Sequence, residues 1–176
     1  GLYGIMGSGV LIFDKNTEID PIIYGGTGTE SFNVIQPSSY PERLEAGTLN
    51  LPAIASLKEG VRYMHKNLST FGEYLYSATS KLIELIGEIP NIKIYSAPNY
   101  SGIVSFSVNN TDSGEISDIL SKKYDIAVRG GLHCAPLMHK YLGTAEGGLV
   151  RASLAVQNSA SEIKYFAKCL NDIALR

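Results

Sequence analysis

Long apolar runs, a surplus of one charge and paired cysteines are all missing from this chain. No stretch reaches the roughly 18 consecutive apolar residues that a membrane-spanning helix needs, so none is expected. Lys and Arg total 15 against 17 Asp and Glu, a net charge of −2. That balance offers no electrostatic attraction for nucleic acid or an anionic membrane. The two cysteines, Cys134 and Cys169, make no disulfide framework, and a reducing, cytoplasmic setting is expected. The opening "GLYGIMGSGV" has neither a basic region nor a long apolar core, so it is not a signal peptide. It also lacks an initiator methionine, and its glycine-rich start reads as a cut through a larger domain. Its glycines precede the apolar run Val10–Phe13 instead of following a strand, which excludes a dinucleotide fingerprint, and no Walker A lysine follows. His133, Cys134 and His139 fall short of the ligand number and spacing zinc prefers, so no metal is expected.

An apolar share of 44% against 18% charged residues predicts a buried core instead of disorder. Val10–Phe13 reads as a buried strand. Residues 14–50 are rich in Gly, Pro, Ser and Asn and read as loop, of a length that is usually functional or interface-forming. Asn50 can cap a helix with Pro52 in its first turn, and Ile54, Leu57, Val61 and Met64 recur at helical spacing. A second stripe runs through Leu68, Phe71, Leu75, Ala78, Leu82 and Leu85. The Asn67-Leu68-Ser69 junction predicts an antiparallel pair or one long broken helix. Strands are expected at 92–96, 103–108, 126–128 and 149–156, with Val104, Phe106 and Val108 on one face. Asp112 with Glu115, and Ser159 with Glu162, read as capping boxes. They start helices that turn Ile116, Ile119 and Leu120, and Ile163, Phe166, Leu170 and Ile173, inward. Residues 89–176 thus read as a two-layer α/β domain with helices on one face of the sheet.

The chemistry concentrates in "RGGLHCAPLMH", residues 129–139. Pro136 favours a first helical turn, which puts Cys134 at or just before a helix N-terminus, where orphan N–H groups favour a thiolate. Arg129 and His133 could add positive charge, and Gly130 and Gly131 make the approach flexible. By these features alone the same cysteine is more readily an inert core residue, as is expected of Cys169 in its amphipathic helix. "YGGTGTES" could cradle a phosphate through backbone N–H groups and hydroxyls, or be a plain turn. Thr48, just ahead of a helix, could also reach a phosphate. Arg151 sits in a strand among apolar residues and needs an anionic partner, either a protein carboxylate or a substrate carboxylate held by its fork.

Taken together, "GLYGIMGSGVLIF", "YGGTGTES", "PERLEAGTLN", "RGGLHCAPLMH" and "VRASLAVQN" resemble consecutive motifs of the class V aminotransferase family, most closely its cysteine desulfurase branch. The resemblance covers nearly the whole chain. It implies an α/β protein, the C-terminal part of a fold type I transferase dependent on pyridoxal 5′-phosphate (PLP). Residues 1–50 would be a remnant of the large PLP-binding domain with a dimer-interface loop, 51–88 connecting helices, and 89–176 the small C-terminal domain. The implied activity takes sulfur from L-cysteine, leaving alanine and a persulfide on Cys134. Arg151 aligns with the arginine that binds the substrate carboxylate, and Arg129 and His133 flank the substrate. Thr48, Gly26 and Thr27 align with the cofactor-phosphate contacts at the interface of a homodimer. A sulfur-acceptor protein would be a further partner.

One departure from the family pattern stands out. The Schiff-base lysine of the family lies immediately before a segment like "GLYG", and here the sequence begins at Gly1, so this stretch alone is expected to lack PLP catalysis. Other class V outcomes, namely a selenocysteine lyase, transaminase or epimerase, remain alternatives, as does a non-catalytic dimerisation or sulfur-relay module. A transaminase would not need the Cys134 thiol.

Overall fold

The structure, a computed structural model, describes residues 2–109 and 111–175. The chain divides into two compact units, Gly1–Asn67 and Leu68–Arg176.

In the first unit no strand forms among the described residues; its regular elements are a 3-10 turn at Glu42–Leu44 and the start of a long helix, α1 (Leu51–Gly87). The expected buried strand at Val10–Phe13 is instead irregular backbone, with Ile12 88% exposed. An apolar run asks for burial but cannot form a strand without a neighbour to take its N–H and C=O groups. Local order comes from side chains. The Tyr40 hydroxyl accepts from Ile19 N–H at 2.8 Å and its ring stands edge-on to Phe13. Gln36 Nε2 donates to the Glu42 carbonyl at 2.9 Å. Ile5 N–H donates to Ser56 Oγ at 3.0 Å, and Tyr3 packs edge-on against Tyr63.

Asn50 caps α1 as expected, accepting from Ala53 N–H at 3.2 Å. The expected break at residues 67–69 is absent and the helix runs 37 residues without interruption. Neither Pro nor Gly stands at the junction, and Asn67 directs its amide back to the Tyr63 carbonyl at 2.7 Å, which satisfies the side chain within the helix. The first apolar stripe is not a core: Ile54 and Val61 are exposed.

The second unit holds the core. Strands β1 (Ile92–Ile94), β2 (Ile103–Val108) and β3 (Val150–Ser153) form an antiparallel sheet in that order, with Ile94 opposite Phe106 and Ser105 opposite Arg151. On β2, Val104, Phe106 and Val108 are buried and alternate with serines, as the period of two requires. Helices α2 (Ser113–Tyr124) and α4 (Ala160–Ala174) and the C-terminal half of α1 supply Ile116, Leu120, Ile163, Phe166, Leu170, Ala78, Leu82 and Ile86 to the same cluster. Fully burying one such side chain stabilises by about 1.5–3 kcal/mol. The Ser159–Glu162 capping box is present in both directions. Asp112 caps α2 by accepting from the N–H groups of Gly114 and Glu115, but the expected box is half formed, because the Glu115 side chain makes no return bond among the described residues.

Residues 126–128 do not form the expected strand. Ile126 N–H is spent on the Leu120 carbonyl at the end of α2, and pairing with β3 begins only at the bridge between Arg129 and Arg151. No helix is long and apolar enough to cross a membrane among the described residues.

Candidate functional site

Residues 129–131 are laid against 149–151 by four backbone hydrogen bonds. Arg129 and Arg151 exchange N–H to carbonyl bonds of 3.1 and 2.8 Å, and Gly131 and Leu149 exchange bonds of 3.2 and 3.1 Å. Behind them sits Ser113, buried at the start of α2. Its Oγ donates to the Gly147 carbonyl at 2.7 Å and accepts from Gly131 N–H at 2.9 Å. The packing is so close that a Cβ on Gly130 would lie 2.4 Å from the Ser113 carbonyl oxygen. Gly130 is therefore a fixed contact, not the flexible approach its type suggests. Ser113 was not legible as a site residue. In sequence it is only the residue after a helix cap, and its partners lie 18 and 34 positions away.

Beyond this stapled segment the chain makes a tight turn. His133 and Cys134 both adopt the left-handed conformation, with φ of 52° and 58°, which costs roughly 1–2 kcal/mol per non-glycine residue. Several contacts hold the turn. Ala135 N–H donates to the Leu132 carbonyl at 2.8 Å. His133 Nε2 bonds the Arg129 carbonyl at 3.0 Å; a carbonyl only accepts, so Nε2 carries the proton and a neutral His133 presents Nδ1 as its free base. Arg129 Nη2 reaches Cys134 Sγ at 3.4 Å. Cys169 is buried, as expected, and Cys134 is exposed, which rules out the core reading left open for it.

Pro136 opens α3 (Pro136–Leu142), with Ala135 as its N-cap, so Cys134 lies just before the helix. The helix is only seven residues long, and the polar partner of the sulfur is the Arg129 guanidinium. His133 does not supply the positive charge suggested by its type. Burial first of all, then the nearby Arg151, His139 and Arg129, hold its pKa below the ordinary 6.5, outweighing the hydrogen bond to Arg129 that favours protonation.

Arg151 alternates as expected, with Val150 and Ala152 buried on the opposite face. Leu149, expected outward with Arg151, is buried too, because its backbone is folded onto Gly131. The ion pairs among the described residues involve Arg43, Arg62, Lys81 and Lys122, so neither Arg129 nor Arg151 is neutralised by a carboxylate there. Arg151 Nε is buried and makes no hydrogen bond among the described residues. Two unneutralised guanidiniums, one with an orphaned buried donor, fit an anionic ligand with a carboxylate.

A second group of donors gathers in the first unit. Gly47 N–H donates to the Gly26 carbonyl at 2.6 Å, which brings the turn before Thr48 beside the glycine-rich loop. Thr27 and Thr29 hydroxyls are 3.1 Å apart. The N–H groups of Gly26, Thr27 and Thr48 make no hydrogen bond among the described residues, and a Cβ on Gly26 would meet nothing within 4 Å. Free N–H groups with two threonine hydroxyls on glycine-lined backbone fit a phosphate monoester. The structure thus brings Gly26 and Thr27 toward Thr48 in one unit, and Arg129, His133, Cys134 and Arg151 together in the other. No group of three metal-ligating side chains is found among the described residues.

The sequence pattern of the family described as aminotransferase class-V matches residues 2–166. A probable cysteine desulfurase of Methanothermobacter thermautotrophicus is 34% identical, over 99% of this chain and 45% of its own length. A cysteine desulfurase of Salmonella agona is 31% identical, over 92% of this chain and 41% of its own. Among solved structures, an apo cysteine desulfurase from Thermococcus onnurineus superposes with a TM-score of 0.69 at 31% identity, covering 77% of this chain and 34% of that one. The Escherichia coli cysteine desulfurase CsdA, in an S-sulfonic acid form, superposes with a TM-score of 0.73 over 89% of this chain and 39% of that one; at 22% identity this likeness speaks for the fold alone. The chain spans less than half the length of these curated relatives, and its fold is that of part of a cysteine desulfurase.

Proposed function

The chain belongs to the aminotransferase class-V family, and from that premise we propose that it is the C-terminal portion of a PLP-dependent cysteine desulfurase. The observation that carries this reading is the exposed Cys134, set on a braced left-handed turn with the Arg129 guanidinium 3.4 Å from its sulfur. A structural cysteine has no use for that arrangement.

In this reading Arg151 holds the α-carboxylate of L-cysteine, and its Nε has no partner among the described residues. Cys134 Sγ, as a thiolate, attacks the substrate sulfur. An S–S bond forms, the substrate Cβ–S bond breaks, and the electron pair stays with the carbon, which is protonated to give alanine; Cys134 is left as a persulfide. Thr48, with Gly26 and Thr27 at the same dimer interface, would reach the phosphate of the cofactor bound in the other subunit. PLP supplies the electron sink that makes the Cβ–S bond labile. Arg129 steadies the sulfur while it is ionised, and neutral His133 flanks the substrate.

The same reading assigns residues 1–50 to the edge of the large domain and a homodimer interface, 51–88 to connecting helices and 89–176 to the small domain. It puts the enzyme in the cytoplasm and gives the persulfide to an acceptor protein. The test is product analysis of the full-length protein with PLP, L-cysteine and a thiol reductant. Alanine and sulfide in equal amounts support the reading; pyruvate or an exchanged amino group without sulfide rejects it.

A further inference from the structure

Helix α3 is inside out. Leu137, Met138 and Tyr141 are exposed, Leu142 is half-buried, and the buried residue is His139, 3% exposed. Burying an imidazole is unfavourable unless its polar atoms are satisfied, and a leucine would fill the space at lower cost. His139 is satisfied on one side: Nδ1 lies 2.9 Å from Thr144 Oγ1. Thr144 is fixed in turn, its N–H donating to the His139 carbonyl at 2.9 Å and its carbonyl accepting from Gly148 N–H at 3.0 Å. The other face of the imidazole meets His133, with ring centroids 5.6 Å apart and planes at 65°. His133 is the first of the two left-handed residues of the nucleophile turn and is tied by Nε2 to Arg129, whose guanidinium touches Cys134.

We propose that His139 is a positioning residue for Cys134: oriented by Thr144, its ring braces His133 and so keeps the 133–134 turn and the Arg129–sulfur contact in place. This rests on Cys134 as the nucleophile but adds a residue outside the reacting set, because His139 is buried and its contacts run through His133. A turn of two left-handed non-glycine residues relaxes when its support is removed. The sulfur then loses its fixed place on the turn and its contact with the Arg129 guanidinium.

The test is site-resolved alkylation of the full-length protein by iodoacetamide, with peptide mass spectrometry reporting Cys134 and Cys169 separately. Buried Cys169 serves as the internal gauge of folding. His139→Leu should slow Cys134 alkylation about tenfold, the size expected when one left-handed residue loses its support, while Cys169 stays protected. Thr144→Val should act in the same direction. His139→Gln, which can still bond Thr144, should recover part of the rate, a rescue that a space-filling role would not give. Unchanged Cys134 alkylation in His139→Leu with Cys169 protected overturns the proposal. If that variant exposes Cys169, Thr144→Val decides, and an unchanged rate there overturns it. Alkylation needs neither cofactor nor substrate, so this outcome is separable from a failure of the desulfurase reading, which would appear in the products alone.

Discussion

The two units treat their apolar residues in opposite ways. In Leu68–Arg176, Leu82, Phe106, Leu120 and Leu170 are fully buried in one cluster fed by three helices and two strands. In Gly1–Asn67, Met6, Ile12, Ile22, Phe32 and Val34 are almost wholly exposed. Both segments are comparably apolar as text. The difference is that the second unit contains the surfaces its side chains need, and the first, among the described residues, does not. An amphipathic pattern becomes a core only where its complement is present.

The largest test of that contrast is a pair of truncations. Phe106→Ala, in the sealed core and edge-on to Phe166, should cost about 3–5 kcal/mol. Phe32→Ala, fully exposed, should stay within about 0.5 kcal/mol. Urea unfolding of the two variants reads the difference; similar losses would mean that the first unit carries a core of its own.

Next is Arg151, where the second unit's stability and its function part company. Its guanidinium has no carboxylate partner among the described residues, so removing it should leave stability nearly intact. Hydrogen bonds to charged groups are worth about 1.5–3 kcal/mol, so Arg151→Ala should raise the full-length protein's KM for cysteine roughly ten- to a hundredfold. Arg151→Lys should recover only part, because an ammonium cannot copy the fork. A lowered melting temperature with an unchanged KM would make Arg151 structural.

The smallest effect concerns the cap of α4, a local device the second unit has in full. Ser159→Ala should cost about 1 kcal/mol. Glu162, bonded by the Ser159 N–H and hydroxyl, has its pKa held below the ordinary 4.5. A carboxylate with a depressed folded pKa adds stability that is present above its unfolded value and lost as pH falls through the folded one. Melting temperatures between neutral pH and about pH 3 should therefore fall more steeply below 4.5 in the unsubstituted chain than in Glu162→Gln. Parallel curves would remove Glu162 from the account.

What was legible in the sequence follows the same divide. The period-two strand 103–108, the capping residues Asp112, Ser159 and Glu162 and the inward stripe of α4 are local signals whose partners lie in the same unit, and each appears as read. Val10–Phe13 was misread because burial was inferred without knowing against what. The continuous α1 was misread because Asn67 and Ser69 weaken a helix only slightly, too little to break it. Residues 126–128 were misread because apolar β-formers do not reveal that the Ile126 N–H is already committed to the end of α2. At the site, Cys134, Arg129 and Arg151 stood out by type and neighbours. The left-handed turn at His133 and Cys134 carries no glycine to announce it, and Ser113 and His139 act through contacts that no spacing encodes.

In the proposed reaction Cys134 receives the sulfur. Full-length protein loaded with PLP should be given L-cysteine labelled with sulfur-34, alkylated without reduction, digested and mapped by mass spectrometry. The labelled sulfur should sit as one extra atom on the Cys134 peptide and be absent from the Cys169 peptide, and Cys134→Ser should form no protein persulfide while still binding PLP. Label on Cys169, or sulfide released at an undiminished rate by Cys134→Ser, would contradict it.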